Sequence, residues 1–218
     1  DWLPAMVPGT AAQALQAAGR YDLDAPTSLH DKDVWYRVRF AASGKRTLRF
    51  GGLATLAEVW LNGASVLRSD NMFLAHEIDV DTVGDNDLVI RFRSLDRALE
   101  EKKGRARWRT KIVENNALRQ VRTTLIGHMT GSQPPVHAVG PWRPVELIEQ
   151  APQFRVRSFD LRVSLEGDDG LVSVALDLDR EGQRPPAILH VGTASGALTW
   201  AGLLAHERRL GAGAPVLL

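Results

Sequence analysis

Cysteine is missing from all 218 residues. That one absence removes disulfides, zinc–thiolate centres and thiol nucleophiles together. It fits a reducing compartment, and a periplasmic protein can also lack cysteine. Long apolar runs are missing too: none approaches the ~20 residues that a membrane-spanning helix needs. The opening DWLPAMVPGT has neither the basic start nor the apolar core of a signal peptide, so cytoplasmic and periplasmic locations both stay open. Asp1 in place of Met points to a processed, truncated or partly observed chain. An excess of one charge sign is lacking as well. The 27 Lys and Arg residues meet 26 Asp and Glu, a net charge of +1. No global field therefore recruits nucleic acid or a membrane surface. There is no Gly-rich phosphate loop, no Gly-x-Ser-x-Gly elbow and no His-Glu-x-x-His helix. No cofactor is expected.

What is present is an ordinary globular composition, 44% hydrophobic and 24% charged, which excludes disorder of the whole chain. VPGTAAQALQAAGR predicts a short helix. Thr10 caps it, Gln13 completes a capping-box spacing, and Gly19 stands where a left-handed C-terminal cap belongs. Strand signals follow. VWYRVRF (34–40) alternates Val34, Tyr36, Val38 and Phe40 against Trp35, Arg37 and Arg39. TLRFGGL (47–53) comes after expected turn residues Ser43 and Gly44. LAEVWLNGASVLRS carries Asn62-Gly63 between two apolar runs and predicts a hairpin with a type I′ turn. HEIDV and NDLVIRFRS give two more strands, separated by turn-rich DTVGD. Residues 95–116 are polar and without alternation. From Ala151 short strands resume at 154–165, 171–179 and 187–193. Many short strands with Gly-rich turns predict β-sandwiches. QAPQ (150–153) is the expected boundary, and the 68 residues from Ala151 on are too few for a full seven-stranded sandwich.

Candidate chemistry gathers in MTGSQPPVHAVGPWRPV (129–145). Pro134, Pro135, Pro141 and Pro144 exclude a helix interior or a central strand there. Of the six histidines only His128 and His137 are close in sequence. No third ligand is patterned with them, so loop hydrogen bonding is expected and a metal site is not. KKGRARWRTK (102–111) reads as a solvated loop or a contact to another domain. Trp35 and Trp60 are expected to pack; Trp108 and Trp142, in irregular segments, pack or stack on a sugar ring. Asp70 and Asn71 open a local turn, and sugar hydroxyls are an alternative partner for both.

The order VPGT plus helix, VWYRVRF, FGGLATLAEVWLNGASVLRSDNMFLAHEIDV, NDLVIRFRS and VGPWRPVELI resembles the amino-terminal part of glycoside hydrolase family 2. It is most similar to the β-mannosidase branch, over roughly Trp2 to Ile148. The resemblance implies an all-β chain: a jelly-roll β-sandwich of the sugar-binding type at 1–149, then a partial immunoglobulin-like β-sandwich at 150–218. In that family a (β/α)₈ barrel follows and carries two catalytic glutamates, one of them after an asparagine. This chain has no Asn-Glu dipeptide and no room for a barrel of about 250 residues. The resemblance therefore implies a non-catalytic portion of a glycosidase that scaffolds the barrel and shapes a subsite for a β-linked glycoside. Its partners would be carbohydrate and its own barrel, with no nucleic acid and no membrane. A stand-alone carbohydrate-binding module and a protein-interaction sandwich are the alternatives.

One loop of the family's jelly roll reaches the sugar subsite, often with a Gly-Trp-Asp-Trp-Gly-Pro motif whose Asp contacts the sugar. Here the region reads IGHMTGSQPPVHAVGPWRPV, and an ungapped count puts Gly131 near that Asp. The carboxylate is absent. The resemblance leaves His128, Ser132, Gln133 and His137 as the groups available to substrate; none accepts hydroxyl hydrogen bonds as a carboxylate does.

Overall fold

The computed structural model describes residues 2–101, 109–129, 131, 133–149, 156–167, 169–178, 187–191, 194–198 and 204–210. The chain divides into two compact units, Asp1–Gln150 and Ala151–Leu218.

The first unit begins with helix α1, Ala11–Ala17. The Thr10 hydroxyl accepts the Gln13 N–H at 3.4 Å, and Gly19 closes the helix at φ +66°. Ala11 and Ala12 are buried, and the Ala11 N–H bonds the Val139 carbonyl at 2.8 Å. The small side chains let the helix lie this close to residues 139–141. Strand β1 is Val34–Phe50, followed by the hairpin β2 (Ala57–Leu61) and β3 (Ala64–Ser69). Its turn is Asn62-Gly63, at φ +52° and +81°, the paired positive values that a type I′ turn requires. Strand β4 is His76–Phe92.

β1 and β4 correct the strand pattern expected from sequence. The turns foreseen at Ser43-Gly44 and at 81–85 are not made. Both segments run through as 17-residue strands, paired without a slip from Val34–Phe92 to Phe50–His76. Gly44 and Gly84 do take positive φ, +88° and +94°, but as bends within paired strands. A straight ladder of this length would span about 56 Å. Yet Phe50 and Phe92, from its opposite ends, lie in one buried core cluster. Tyr36, near the start of β1, packs against Gly140, which pairs with Ala54 just beyond the end of β1. The ladder therefore folds over on itself, and its two halves become the layers of a β-sandwich. Leu48, Phe50, Val59, Leu88, Ile90 and Phe92 fill the space between them.

Asn86 holds the bend. It is 2% exposed. Its amide nitrogen donates to the carbonyls of Ala42 (2.9 Å) and Gly84 (2.8 Å). Its amide oxygen accepts from the Val83 N–H (3.2 Å) and the Asn62 side chain (3.0 Å). Asn62 in turn accepts the Asp87 N–H at 2.8 Å. One amide thus ties the β1–β4 bend to the β2–β3 turn.

Helix α2, Leu95–Glu100, follows β4 and is capped by Ser94, whose hydroxyl accepts the Arg97 N–H at 3.2 Å and donates to the His30 carbonyl at 2.6 Å. The basic run falls mostly outside the described residues: 102–108, with Trp108, are not described. Strand β5, Val145–Glu149, pairs with residues 46–50 of β1 and completes the order β3-β2-β4-β1-β5. Pro144 precedes it at the sheet edge, where its carbonyl accepts the Gly51 N–H at 2.9 Å.

In the second unit β6 (Val156–Glu166), β7 (Asp169–Leu178) and β10 (Leu204–Leu210) form one antiparallel sheet in the order β10-β7-β6; β8 (Ala187–Val191) pairs with β9 (Ala194–Leu198). Phe159, Leu161, Val163 and Leu165 alternate along β6 and are all exposed, whereas Val172 and Val174 of β7 are buried.

Replacing Asn86 with Ala takes their partner from part-buried carbonyl and N–H groups at the bend and leaves a void where a buried amide stood. We expect a loss of about 2–4 kcal/mol in unfolding free energy by urea titration, several times the value for an exposed Asn. A loss under about 0.5 kcal/mol would mean that the bend does not depend on this amide.

Candidate functional site

The segment from Val121 to Pro141 is irregular, and backbone contacts at several points fix its course. The Met72 N–H bonds the Arg122 carbonyl at 3.0 Å, and the Met72 sulfur accepts the Thr124 N–H at 3.0 Å. Thr123 and Thr55 share a 2.6 Å hydroxyl contact. Val113 bridges Met129, and Ala54 bridges Gly140. Gly127 has φ +83°, and a Cβ there would drive into the Val136 carbonyl. Only glycine lets the two limbs of the loop, 125–129 and 133–138, lie this close.

The close limbs bring His128 and His137 together, at 4.7 Å between ring centroids. His30 joins them from the segment before β1, at 5.0 Å from His128 and 4.3 Å from His137. The three rings are 4–8% exposed. This third imidazole is what local spacing in the sequence lacked. Leu29, its neighbour, is 108 positions from His137, yet its N–H lies 3.4 Å from the His137 Nδ1. Only the fold-over of the long ladder makes that apposition. Ser28, beside Leu29, contacts both the Asp96 carboxylate (3.3 Å) and the His137 ring (3.5 Å).

Burial pushes His30 down to about 3, helped by His137 and His128. Burial and then His137 bring His128 to about 4. Burial also lowers His137, against the pull of Asp96, Glu114 and Asp31. All three rings are neutral near pH 7, which is what close packing of three imidazoles requires.

The four residues singled out from sequence are thus placed differently from one another. His128 and His137 are buried and face each other. Gln133 is half-buried, and its amide donates to the Leu125 carbonyl at 3.2 Å across the loop. Ser132 lies outside the described residues. Trp142 is a packing residue. Its indole N–H donates to the Met72 carbonyl at 2.9 Å, the Arg143 guanidinium covers its ring at 4.3 Å, and Phe73 meets it edge-on at 6.3 Å. Trp35 and Trp60 stack on each other at 6.0 Å. Asn71 makes the local turn, accepting the Phe73 N–H at 3.0 Å. Asp70 lines a cleft of about 240 Å³ together with Glu58, Arg68, Arg93, Glu101 and Arg122. Phe73 and Leu74, with Leu125 and Ile126, carry large apolar side chains that are 47–64% exposed.

The "Glycosyl hydrolase 2 galactose-binding domain-like" family matches residues 1–143. A β-mannosidase B of Aspergillus flavus is 41% identical over 109 residues, which is 42% of this chain and 13% of that protein. The β-mannosidase B of Thermothelomyces thermophilus is 45% identical over 67 residues, 27% of this chain and 8% of its own. The chain thus spans a small fraction of the curated relatives it matches. Among solved structures, the β-D-mannosidase of Dictyoglomus thermophilum superposes with a TM-score of 0.74 at 22% identity, over 99% of this chain and 28% of that one. The exo-chitosanase of Amycolatopsis orientalis gives 0.58 at 19%, over 95% and 25%. At these identities the superpositions speak to the fold.

The buried imidazoles set a pH dependence. Unfolded, each titrates near 6.5; folded, they hold their protons only at lower pH. The unfolded chain therefore binds more protons below pH 6.5, and stability falls as pH drops from there through about 4 towards about 3. With chelator present, the urea midpoint should fall between pH 7 and 5, a range in which ordinary carboxylates stay charged. His128→Asn should flatten that slope. A flat midpoint in the unaltered chain would contradict the neutral trio.

Proposed function

Because the chain belongs to the glycosyl hydrolase 2 galactose-binding domain-like family, as the amino-terminal domain of a β-mannosidase-like enzyme, we propose that it scaffolds the catalytic barrel of a glycosidase. The loop at 125–139 shapes one side of the sugar subsite. The observation that carries this reading is the apolar surface of Phe73, Leu74, Leu125 and Ile126. Four large apolar side chains, on two segments cross-linked at Met72, are more than a scatter of surface hydrophobics. They lie at the start of the loop and on the segment bonded to it, and suit a contact with a further domain of the same protein.

On this reading His128 and His137 support the loop from inside, and Gln133, with Ser132, is left to meet the sugar. Neutral groups there would recognise hydroxyls without the charge of a carboxylate. The substrate class is a β-linked glycoside. The unit from Asp1 is a jelly-roll domain of the sugar-binding type. The segment from 150 to 218 is part of an immunoglobulin-like sandwich, because the exposed row Phe159, Leu161, Val163 and Leu165 is the kind of face that a second sheet covers.

Two measurements test the proposal. The 218-residue chain alone should not turn over any member of a panel of 4-nitrophenyl β-glycosides; measurable turnover would end the scaffold reading. In the longer enzyme, Leu125→Asp with Ile126→Asp should lower kcat/KM at least tenfold, and Gln133→Ala should raise KM about three- to tenfold with little change in kcat. Unchanged kinetics in both variants would leave the loop with a purely structural role.

A further inference from the structure

The histidine trio poses a problem that loop packing does not solve. A buried polar atom without a partner is costly, and native structures leave few of them. Here two such atoms belong to rings stacked 4.3 Å apart: the His30 Nδ1 and the His137 Nε2. Their opposite ring nitrogens explain which form each imidazole takes. His30 hydrogen-bonds to the Ala138 backbone in a way that favours the protonated nitrogen, so the ring donates to the carbonyl. Since Nδ1 has no partner, the donor is Nε2, and Nδ1 is left as a bare lone pair. The His137 Nδ1 lies 3.5 Å from the Ser28 hydroxyl, which reaches the Asp96 carboxylate at 3.3 Å. With its proton on Nδ1, His137 would likewise leave Nε2 as a bare lone pair. The Leu29 N–H donates to the same Nδ1 at 3.4 Å, which places the proton of the metal-free ring on Nε2, so a metal at Nε2 requires the tautomer whose Nδ1–H donates to Ser28.

We infer that His30, His128 and His137 bind one divalent transition-metal ion of the zinc class, as a structural clip between the segment before β1 and the loop after α2. Each residue offers a nitrogen, these lie within 4.8 Å of one another, and among the described residues they are the group of three arranged in this way. Coordination at about 2.0–2.1 Å brings such nitrogens to about 3.3 Å apart. The rings are stacked and nearly parallel, 5–22° between planes, so coordination requires each ring to turn about its Cβ–Cγ bond until its plane passes through the metal. Imidazole donors select zinc, nickel, cobalt or copper over calcium and magnesium. With a metal bound, the Ser28–Asp96 pair behind His137 and the Ala138 carbonyl behind His30 would serve as the outer partners of the ligating rings. Asp31, Asp96 and Glu114 act on the His137 charge and favour a cation there. The site is closed and distinct from any group offered to substrate. Its effect is to pin both limbs of the loop, whatever the enzyme's sugar.

The test uses the whole 218-residue chain, stripped with chelator and dialysed. Titration with Co²⁺ should give one equivalent and visible d–d bands of nitrogen coordination. Zn²⁺ at one hundred times its Kd should raise Tm by roughly 5–10 °C, while Mg²⁺ and Ca²⁺ should not. His30→Gln and His137→Gln should each weaken Zn²⁺ binding at least tenfold, and His76→Gln should not. The inference is overturned if Co²⁺, Ni²⁺ and Zn²⁺ leave spectrum and Tm unchanged, or if His30→Gln binds Zn²⁺ as the unaltered chain does. The cobalt spectrum of the unaltered chain decides the matter even if a histidine variant fails to fold. None of these readings depends on glycosidase activity.

Discussion

The primary amide of Asn86 is the point on which the first unit turns. A paired ladder of 17 residues per strand cannot bury anything against itself while it is straight. Bent at Gly44 and Gly84, it supplies both layers of a sandwich. Bending frees backbone donors and acceptors beside a side chain that is itself buried. Asn86 meets them from a single side chain, and its bond to Asn62 brings the neighbouring hairpin into the same network. An apolar residue of the same size would fill the space and leave the carbonyls bare. The core of Phe50, Phe92 and Val59 depends on that bend, because their strands face each other only after it is made.

The loop from Val121 to Pro141 depends on the bend in turn. Its anchors are Met72, Thr55, Ala54 and Val113, residues that converge only in the folded sandwich. Glycine at 127 lets the limbs close, and the closure brings His128 to His137. The apolar side chains at 73, 74, 125 and 126 then point outward from the same anchored region. Rigid backbone, an inner polar cluster and an outer apolar surface are thus consequences of one set of contacts.

The sequence made the local features legible. The Thr10 cap, the Asn62-Gly63 turn and the β5 entry after Pro144 each rest on chemistry within a few residues. The long ladder was less visible, because Gly44 and Gly84 announce turns to any local reading. Whether a glycine ends a strand or bends it is settled by the partner strand and by Asn86, 42 positions along from Gly44 in the chain. β9 and β10 were missed because ASGAL and LAHERRL carry little alternation of apolar and polar residues. Of the site, His128 and His137 were legible as a pair. His30 was not, since nothing near it in the chain suggests a partner 108 positions beyond its neighbour Leu29.

The fold-over also governs how the chain reaches this state. Its defining contacts join residues far apart in sequence: Val34 with Phe92, Gly9 with Pro141, Leu29 with His137. Loop-closure entropy has to be met before any of them gives a return. The β2–β3 hairpin, closed by two residues, is the cheap beginning, and β4 can zip onto it next. The amino-terminal segment and the histidine trio can pack only once both flanks are in place. A nascent chain therefore exposes the β1 edge until residues 145–149 have emerged to cover it, which makes this a slow-folding topology with its vulnerable interval built into the order of synthesis.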